Sequence, residues 1–193
     1  LPVLAALPPF AGGAVWRLDE MEALDRQRLR ERHLISAELA GKGAGSALLV
    51  AADESLSVMV NEEDHLRIQA MAPGRDLLPL WRAADALDTA VGERIAYAVS
   101  PRLGYLTACP SNVGTGLRAS VMLHLPGLRM AGEAGPVVKG LDKLGLAVRG
   151  LLGEGTDALG NMYQISNQAT LGATERDLIG RLDELVGAVI AHE

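Results

Sequence analysis

Two adjacent apolar runs constrain the fold more than any other feature of this sequence. Residues 46–51 are mostly apolar, residues 55–60 alternate between polar and apolar side chains, and Asp53 and Glu54 lie between the two runs. Two short runs of this kind, separated by a polar pair, predict a β-hairpin with antiparallel strands. A doubly wound fold requires strict β-α-β alternation instead, so the pattern argues against that class.

The rest of the chain alternates between strand-like and helical patterns. Apolar residues recur at steps of three and four in two segments, which predicts amphipathic helices over 76–95 and from 174 onward. We therefore expect an α+β fold, with a mostly antiparallel sheet flanked by helices that cover one side of it. Additional strands are predicted at 117–125, 146–152 and 162–166, and another helix at 128–144.

The sequence shows no internal repeat and no linker, so we expect residues 1–193 to form a single domain. Residues 1–13 are rich in Pro, Gly and Ala, and this composition predicts a loosely ordered lead-in. Residues 20–32 are dense in charges and predict a solvated surface helix. Residues 153–160 contain several glycines and predict a mobile loop.

Composition limits the class of partner and the compartment. The chain has 193 residues, of which 49% are hydrophobic, and this content indicates a globular protein. A net charge of −6 argues against nucleic acid as the main partner. No apolar stretch has the length of a membrane span, and prolines interrupt the apolar N-terminus, so we expect neither a membrane partner nor a signal peptide. A single cysteine cannot form an internal disulfide, which favours a cytoplasmic location.

The segment 109–120 contains that cysteine and carries the strongest chemical signal. Cys109 is followed by Gly114, Gly116 and Arg118. A thiolate is stabilised by nearby positive charge or backbone N–H groups, and an arginine beside open glycine backbone suits a phosphate group. A lone cysteine is also commonly a small buried apolar residue, so both interpretations stay open at this point.

Polar clusters at the predicted strand ends suggest a site with one anionic side and one cationic side. Glu63, Glu154 and Cys109 would face a cation, whereas guanidinium groups would bind phosphate oxygens. ATP and a guanidinium compound match this description, but each arginine could instead pair with a neighbouring carboxylate. The arginines next to apolar sequence are Arg67, Arg118 and Arg149.

Three blocks, in this order, resemble the signatures of the ATP:guanidino phosphotransferases, the phosphagen kinase family. They are Asn-Glu-Glu-Asp-His-Leu-Arg-Ile at 61–68, Cys-Pro-Ser-Asn-Val-Gly-Thr-Gly-Leu-Arg-Ala-Ser-Val at 109–121, and Val-Arg-Gly-Leu-Leu-Gly-Glu at 148–154. Two shorter blocks, His-Leu-Ile-Ser at 33–36 and Gln-Ile-Ser-Asn-Gln at 164–168, resemble the bacterial protein-arginine kinase branch. The resemblance implies a fold similar to the catalytic domain of glutamine synthetase and of the guanidino kinases.

The resemblance also implies roles for individual residues. Glu63 matches the carboxylate that holds the guanidinium and accepts its proton, Cys109 matches the thiolate beside the guanidinium nitrogens, and Glu154 matches a second carboxylate on a closing loop. The neighbouring Glu62 and Asp64 either support Mg²⁺ through its bound waters or are merely solvated acids. Matches to nucleotide-binding positions are His33, Arg67, Arg118, Ala119, Ser120, Val121, Met122, Arg149, Gly150, Leu151, Leu152 and Gly153.

The function implied by the resemblance is ATP-dependent phosphoryl transfer to a guanidinium group, on arginine side chains of proteins. The implied cofactors are ATP and Mg²⁺, with the metal held mainly through the nucleotide and not by protein ligands. One alternative is a kinase that acts on free arginine or another small guanidine. Another is a non-catalytic nucleotide-binding module.

The sequence departs from the family pattern in three respects. No Ser-Ser-Arg-x-Arg motif precedes the block at 61–68, so we expect the chain to lack the start of its catalytic domain. Met122 occupies the position where eukaryotic members carry a histidine near the adenine. The bacterial branch continues into a domain that dimerises and binds phosphoarginine, and no such domain is expected in this chain.

Overall fold

The computed structural model describes residues 1–150 and 159–193. The chain forms two compact units, Leu1–Ala98 and Val99–Glu193. Both units combine antiparallel strands with helices, which confirms the predicted α+β class. Among the helices in these described ranges, none is both long enough and apolar enough to cross a membrane.

The first unit is built on a four-stranded antiparallel sheet in which the strands follow chain order. The predicted hairpin is present, and its register places Leu49 opposite Val58. A further strand then adds to the same edge, so the sheet is a simple meander. The strands are β1 (Ala14–Arg17), β2 (Ala47–Val50), β3 (Leu56–Val60) and β4 (Leu66–Ala70).

Helices cover both faces of this sheet. Leu48 and Leu49 are adjacent in β2, so they point to opposite faces, yet neither is exposed. Leu48 belongs to a cluster that includes residues of α2 and α3, whereas Leu49 packs in a cluster that includes residues of α1 and α4. The prediction that helices cover only one side is therefore wrong for this sheet, because the strand β2 is apolar on both faces. The helices are α1 (Pro2–Ala5), α2 (Ala23–Glu31), α3 (Ala37–Ala40) and α4 (Leu77–Gly92).

The N-terminal segment is folded, and the predicted loose lead-in is wrong. Leu4, Leu7 and Phe10 are at most 4% exposed and pack against the core that includes Leu49 and Val58. Their spacing of three residues puts them on one side of α1 and the 3₁₀ turn that follows it. Proline is tolerated in the first turn of a helix, so the prolines here begin helical turns instead of preventing them.

The second unit contains a three-stranded antiparallel sheet in the order β7-β9-β8 and a short two-stranded pair. The segment predicted as one helix over 128–144 forms two helices, separated around Gly132, which has a positive φ of 78°. The strands are β5 (Val99–Ser100), β6 (Gly104–Tyr105), β7 (Ser120–His124), β8 (Leu146–Gly150) and β9 (Met162–Asn167). The helices are α5 (Pro126–Met130), α6 (Ala134–Lys143) and α7 (Glu175–His192).

A capping box begins α7 at Thr174, the position from which the apolar pattern predicts a helix. The Thr174 hydroxyl accepts a hydrogen bond from the Asp177 N–H, and the Asp177 carboxylate accepts from the Thr174 N–H. Hydrogen bonds from Thr174 hold the pKa of Asp177 below its usual value, since they favour the ionised carboxylate. The apolar face of α7 is buried through Leu178, Leu182 and Val189, which fixes the helix in its unit.

The burial of the N-terminal segment can be tested with two neighbouring residues of α1. Replacing Leu4, which is 2% exposed, with alanine removes packed methyl groups. We expect Leu4→Ala to lower the free energy of unfolding by about 2–4 kcal/mol. Val3→Ala is the control, because Val3 is 42% exposed; its effect should stay within about 0.5 kcal/mol. Equal small effects in denaturant titrations would show that the segment does not contribute to the core.

Candidate functional site

The block at 61–68 forms the tight connection between β3 and β4. Asn61 has a left-handed backbone with φ 56°, a conformation that asparagine adopts more readily than most residues. Its side-chain Nδ2 donates to the Gly45 carbonyl at 2.6 Å, and its own carbonyl accepts from the Ser46 hydroxyl at 3.1 Å. The Asn61 N–H donates to the His65 carbonyl at 2.9 Å. The turn that carries the acidic residues is thus fixed by hydrogen bonds at both ends.

Glu62 is the buried acid of this turn. Its side chain is 7% exposed, and Oε1 accepts from Arg67 Nη1 at 2.8 Å. Its second oxygen lies 3.4 Å from the backbone nitrogen of Glu63, which donates to it. The solvated interpretation of Glu62 is therefore wrong: this carboxylate contacts both Arg67 and the backbone of Glu63. A charged group at a buried strand end needs such partners, and the sequence did not show which of the adjacent acids points inward.

The two predicted site residues that contact Glu62 remain accessible. Glu63 is exposed, and the Arg67 side chain is 46% exposed although one of its nitrogens is bound to Glu62. The arginine–carboxylate pairing that the sequence left open therefore occurs for Arg67. A guanidinium has five N–H donors, so one bond to Glu62 orients Arg67 and leaves donors for an anion.

His33 is connected to the same face of β4. The residue has a left-handed backbone with φ 58°, and its carbonyl accepts from Gln69 Nε2 at 2.6 Å. Gln69 lies two residues after Arg67, so both side chains project from one face of the strand. The structure thus places the His33 loop on the side of the sheet that carries Arg67. Gln69 was not singled out from the sequence, because its contact with His33 spans 36 positions.

Cys109 is partly exposed and its sulfur has a polar neighbour. Its Sγ lies 2.9 Å from the Ser111 hydroxyl, and its carbonyl accepts from Thr107 Oγ1 at 2.7 Å. It is the residue that precedes a 3₁₀ turn, Pro110–Asn112. These surroundings do not match those of an inert cysteine buried among apolar groups.

The turn after Cys109 packs closely against the backbone at Thr170. Gly114 has φ 113°, and a side chain there would place Cβ only 2.3 Å from the Thr170 carbonyl oxygen, so glycine is required. The Thr170 hydroxyl lies within 2.8 Å of the Ser111 carbonyl and 2.7 Å of the Val113 carbonyl. Tyr105 pairs with Gly114 through an isolated β-bridge. The cysteine segment is therefore held in place on two sides.

Alternation along β7 separates the predicted nucleotide-binding residues into two groups. Ser120 and Met122 lie on one face, whereas Ala119 and Val121 are about 8% exposed and face the core. Only the backbone of Ala119 and Val121 is available for a nucleotide. The open face also carries Arg118, whose Nη2 donates to the Ser166 hydroxyl at 3.1 Å.

Arg149 joins this open face through the sheet register. Met122 pairs with Gln164 on β9, and Gln164 pairs with Arg149 on β8. Side chains directly opposite each other in antiparallel pairs share a face, so Arg118 and Arg149 lie on the same side of the sheet. Arg149 is half-buried, and its side chain makes no hydrogen bond or ion pair with other described residues. Gly150 ends the strand; Leu151, Leu152, Gly153 and Glu154, together with most of the predicted loop, lie outside the described residues.

Within residues 1–150 and 159–193, histidine, cysteine and acidic side chains form no group of three that could hold a metal ion. The predicted site residues in the described ranges include three guanidinium groups, those of Arg67, Arg118 and Arg149. The anionic candidates there are Glu63 and Cys109. The guanidinium donors suit phosphate oxygens.

Comparison with known proteins decides the family. The chain matches the model for the ATP:guanido phosphotransferase C-terminal catalytic domain over residues 6–193. The chain belongs to this family. The match spans nearly the whole chain and includes all three blocks identified from the sequence.

Curated relatives of this ATP:guanido phosphotransferase chain include bacterial proteins. A protein named protein-arginine kinase from Symbiobacterium thermophilum is 50% identical over 179 residues, covering 93% of this chain and 51% of the relative. Another of that name, from Moorella thermoacetica, is 53% identical over 165 residues, covering 86% of this chain and 47% of the relative. The chain thus spans about half the length of the curated relatives it matches.

Solved guanidino kinases share the fold. The duplicated taurocyamine kinase from Schistosoma mansoni, with bound transition-state analogue components, matches with a TM-score of 0.87 and 30% identity over 100% of this chain and 28% of that chain. A lombricine kinase matches with a TM-score of 0.80 and 28% identity over 99% of this chain and 56% of that chain. These matches confirm the predicted guanidino kinase fold.

The role of Glu62 in the turn can be tested by removing its charge. Glu62→Gln keeps the shape of the side chain but weakens the charge-assisted bond to Arg67. We expect it to lower the free energy of unfolding by about 1–2 kcal/mol. Glu54→Gln is the matched control, since the ion pair of Glu54 with Arg32 is exposed and should contribute about 0.5 kcal/mol or less. Equal effects of the two substitutions in denaturant titrations would contradict the proposed difference in burial.

Proposed function

We propose that this chain carries out ATP-dependent phosphoryl transfer to the guanidinium group of arginine side chains in proteins, as part of a bacterial cytoplasmic protein-arginine kinase. The observation that carries the proposal is the 50% identity over 93% of the chain with a protein of that name. The placement of its polar groups at strand ends supports the same chemistry. The single cysteine and the bacterial relatives support the cytoplasmic location.

In the first unit, the proposal assigns Glu63 to the acceptor and Arg67 to the nucleotide. A guanidinium nucleophile has delocalised lone pairs and must lose a proton as it attacks the γ-phosphorus. Glu63 is exposed and its backbone is held by Glu62, so its carboxylate is available to orient the guanidinium and accept that proton. Arg67, oriented by the same Glu62, and His33 would contact the nucleotide.

In the second unit, the proposal assigns Cys109 to the acceptor, and Arg118 and Arg149 to the phosphates. A thiolate beside the guanidinium attracts its positive charge and helps to hold its plane. The two arginines share one face of the sheet, where their donors can stabilise charge on the transferred group. Glu154 is proposed as the second carboxylate on the acceptor.

ATP and Mg²⁺ fit the side chains that the structure presents. The guanidinium groups of Arg67, Arg118 and Arg149 match phosphate oxygens. Because no cluster of metal ligands occurs among the described residues, Mg²⁺ would be held through the nucleotide oxygens and water, where it neutralises phosphate charge. In the reaction the bond between the γ-phosphorus and the ADP oxygen breaks, a nitrogen–phosphorus bond forms, and the proton passes to Glu63.

A second candidate is a kinase for a small guanidine. The solved relatives are named as taurocyamine and lombricine kinases, and their identity to this chain is 30% and 28%. The greater identity to proteins named protein-arginine kinase favours a protein substrate.

The activity can be tested by supplying both classes of acceptor. The full chain is incubated with Mg-ATP and either free arginine or an unfolded arginine-containing protein, and products are read by mass spectrometry at neutral pH. We expect phosphoarginine in the protein and not in the free amino acid. Product from free arginine alone would move the function to the small-guanidine class. If nucleotide binds but neither acceptor gives product, the assay is repeated with the N-terminal Ser-Ser-Arg-x-Arg strand restored, and binding without product there as well would indicate a binding module.

The proposed base can be tested separately. Glu63→Gln removes the proton acceptor but not the guanidinium groups assigned to the phosphates. We expect kcat to fall by about 10²–10⁴-fold, with the Kd for Mg-ATP changed by less than about twofold. Glu54→Gln serves as the control, because it removes an exposed carboxylate from the same unit. Unchanged turnover in Glu63→Gln would remove this residue from the mechanism.

A further inference from the structure

Asn167, at the end of β9, makes an unusual set of contacts around Arg118. Its Oδ1 accepts from the Ala119 N–H at 2.7 Å, and its Nδ2 donates to the Leu117 carbonyl at 2.9 Å. Nδ2 also donates to the Ala169 carbonyl at 2.9 Å. Both amide hydrogens and the amide oxygen are therefore used, and the residue is only 6% exposed.

These contacts bracket Arg118 in the sequence. The regular pairing of β7 with β9 ends at Ser120 opposite Ser166. One step further, the Asn167 N–H donates to the Ala119 carbonyl at 3.3 Å, and the Asn167 side chain then binds the residues before and after Arg118. The side chain thus extends the sheet pairing beyond the strand and fixes the backbone from which Arg118 projects.

The residue before Asn167 fixes the other end of the same arginine. The Ser166 hydroxyl accepts from Arg118 Nη2 at 3.1 Å. Two consecutive residues of β9 therefore hold the backbone and the guanidinium of Arg118. If Asn167 had only a local structural role, any hydrogen-bond partners would satisfy its buried amide. Its partners include the two residues on either side of a predicted phosphate-binding arginine.

We propose that Asn167 is a positioning residue for nucleotide binding, which acts through Arg118. The inference rests on the proposed function, because it requires that Arg118 contact a nucleotide phosphate. Without the Asn167 amide, the Leu117 carbonyl and the Ala119 N–H lose their partner, and the backbone at Arg118 can shift. Displacement of a positioned group by about 1 Å is enough to weaken its action substantially.

The test compares Asn167→Ala with Gln168→Ala in the full chain. Gln168 also uses a side-chain amide next to β9, but it donates to Asp142 Oδ1 at 3.1 Å and to the Leu146 carbonyl at 3.4 Å, not to the Arg118 segment. Titration calorimetry gives the Kd for Mg-ATP and the number of binding sites, and circular dichroism gives Tm. Irreversibly unfolded protein lowers the number of sites without changing Kd, whereas reversible unfolding raises the apparent Kd, so each Kd is corrected by the folded fraction that the melting curve gives at the assay temperature.

We expect Asn167→Ala to raise the Kd for Mg-ATP by about tenfold, while Gln168→Ala changes it by less than about twofold. Arg118→Ala should also raise Kd. Combining it with Asn167→Ala should add no further loss, because the two act as one unit. If Asn167→Ala does not melt cooperatively, Asn167→Ser, whose side chain is polar but too short to replace the amide contacts, is measured with the same expectation.

Two results would contradict this inference, and they are distinguishable. If Arg118→Ala weakens binding but Asn167→Ala leaves Kd unchanged or weakens binding additively, Asn167 has only a structural role and the proposed function stands. If Arg118→Ala leaves Kd unchanged, the assignment of Arg118 to the nucleotide is wrong, and the role of Asn167 is overturned with it.

Discussion

Backbone polar groups and charged side chains at the ends of the strands require hydrogen-bond partners, because the sheet ladder no longer provides them. Much of the candidate site depends on the side chains that provide these partners. Where the β3 to β4 connection leaves the sheet, Asn61 and Glu62 provide side-chain hydrogen bonds in place of the ladder. Where β7 begins, Asn167 does the same. In the first unit Glu63 and Arg67 contact the buried Glu62, and in the second unit the residues on either side of Arg118 bind the buried Asn167. A buried polar group is costly unless it is paired, so such arrangements are rigid when complete.

Rigidity of this kind suits phosphoryl transfer. The protein contributes little covalent chemistry to this reaction, so positioned charges account for most of the catalysis. Arg67 is bound by Glu62 and Arg118 by Ser166, so contacts with the protein set the orientation of each guanidinium before a ligand binds. An arginine that is already oriented loses less side-chain entropy on binding an anion than a free one.

The sequence predicted those features that depend on local pattern. The β2-β3 hairpin and the helices α4 and α7 follow from the spacing of apolar residues within each segment. Residues 1–13 were predicted incorrectly because their Pro and Gly content was taken to indicate a loose segment. Three apolar residues in this segment, Leu4, Leu7 and Phe10, have the spacing of one helical face and pack in the core. The roles of Glu62 and Asn167 depend on which way a side chain points and on partners up to 50 positions away, and neither is encoded by local periodicity.

The central claim is that these strand ends bind nucleotide, and amide hydrogen exchange with and without saturating Mg-ATP tests it most directly. The account predicts slower exchange in residues 61–69 and 117–122, with little change on the apolar face of α7. Exchange that is unchanged in both segments, under conditions where calorimetry shows that nucleotide is bound, would contradict the account.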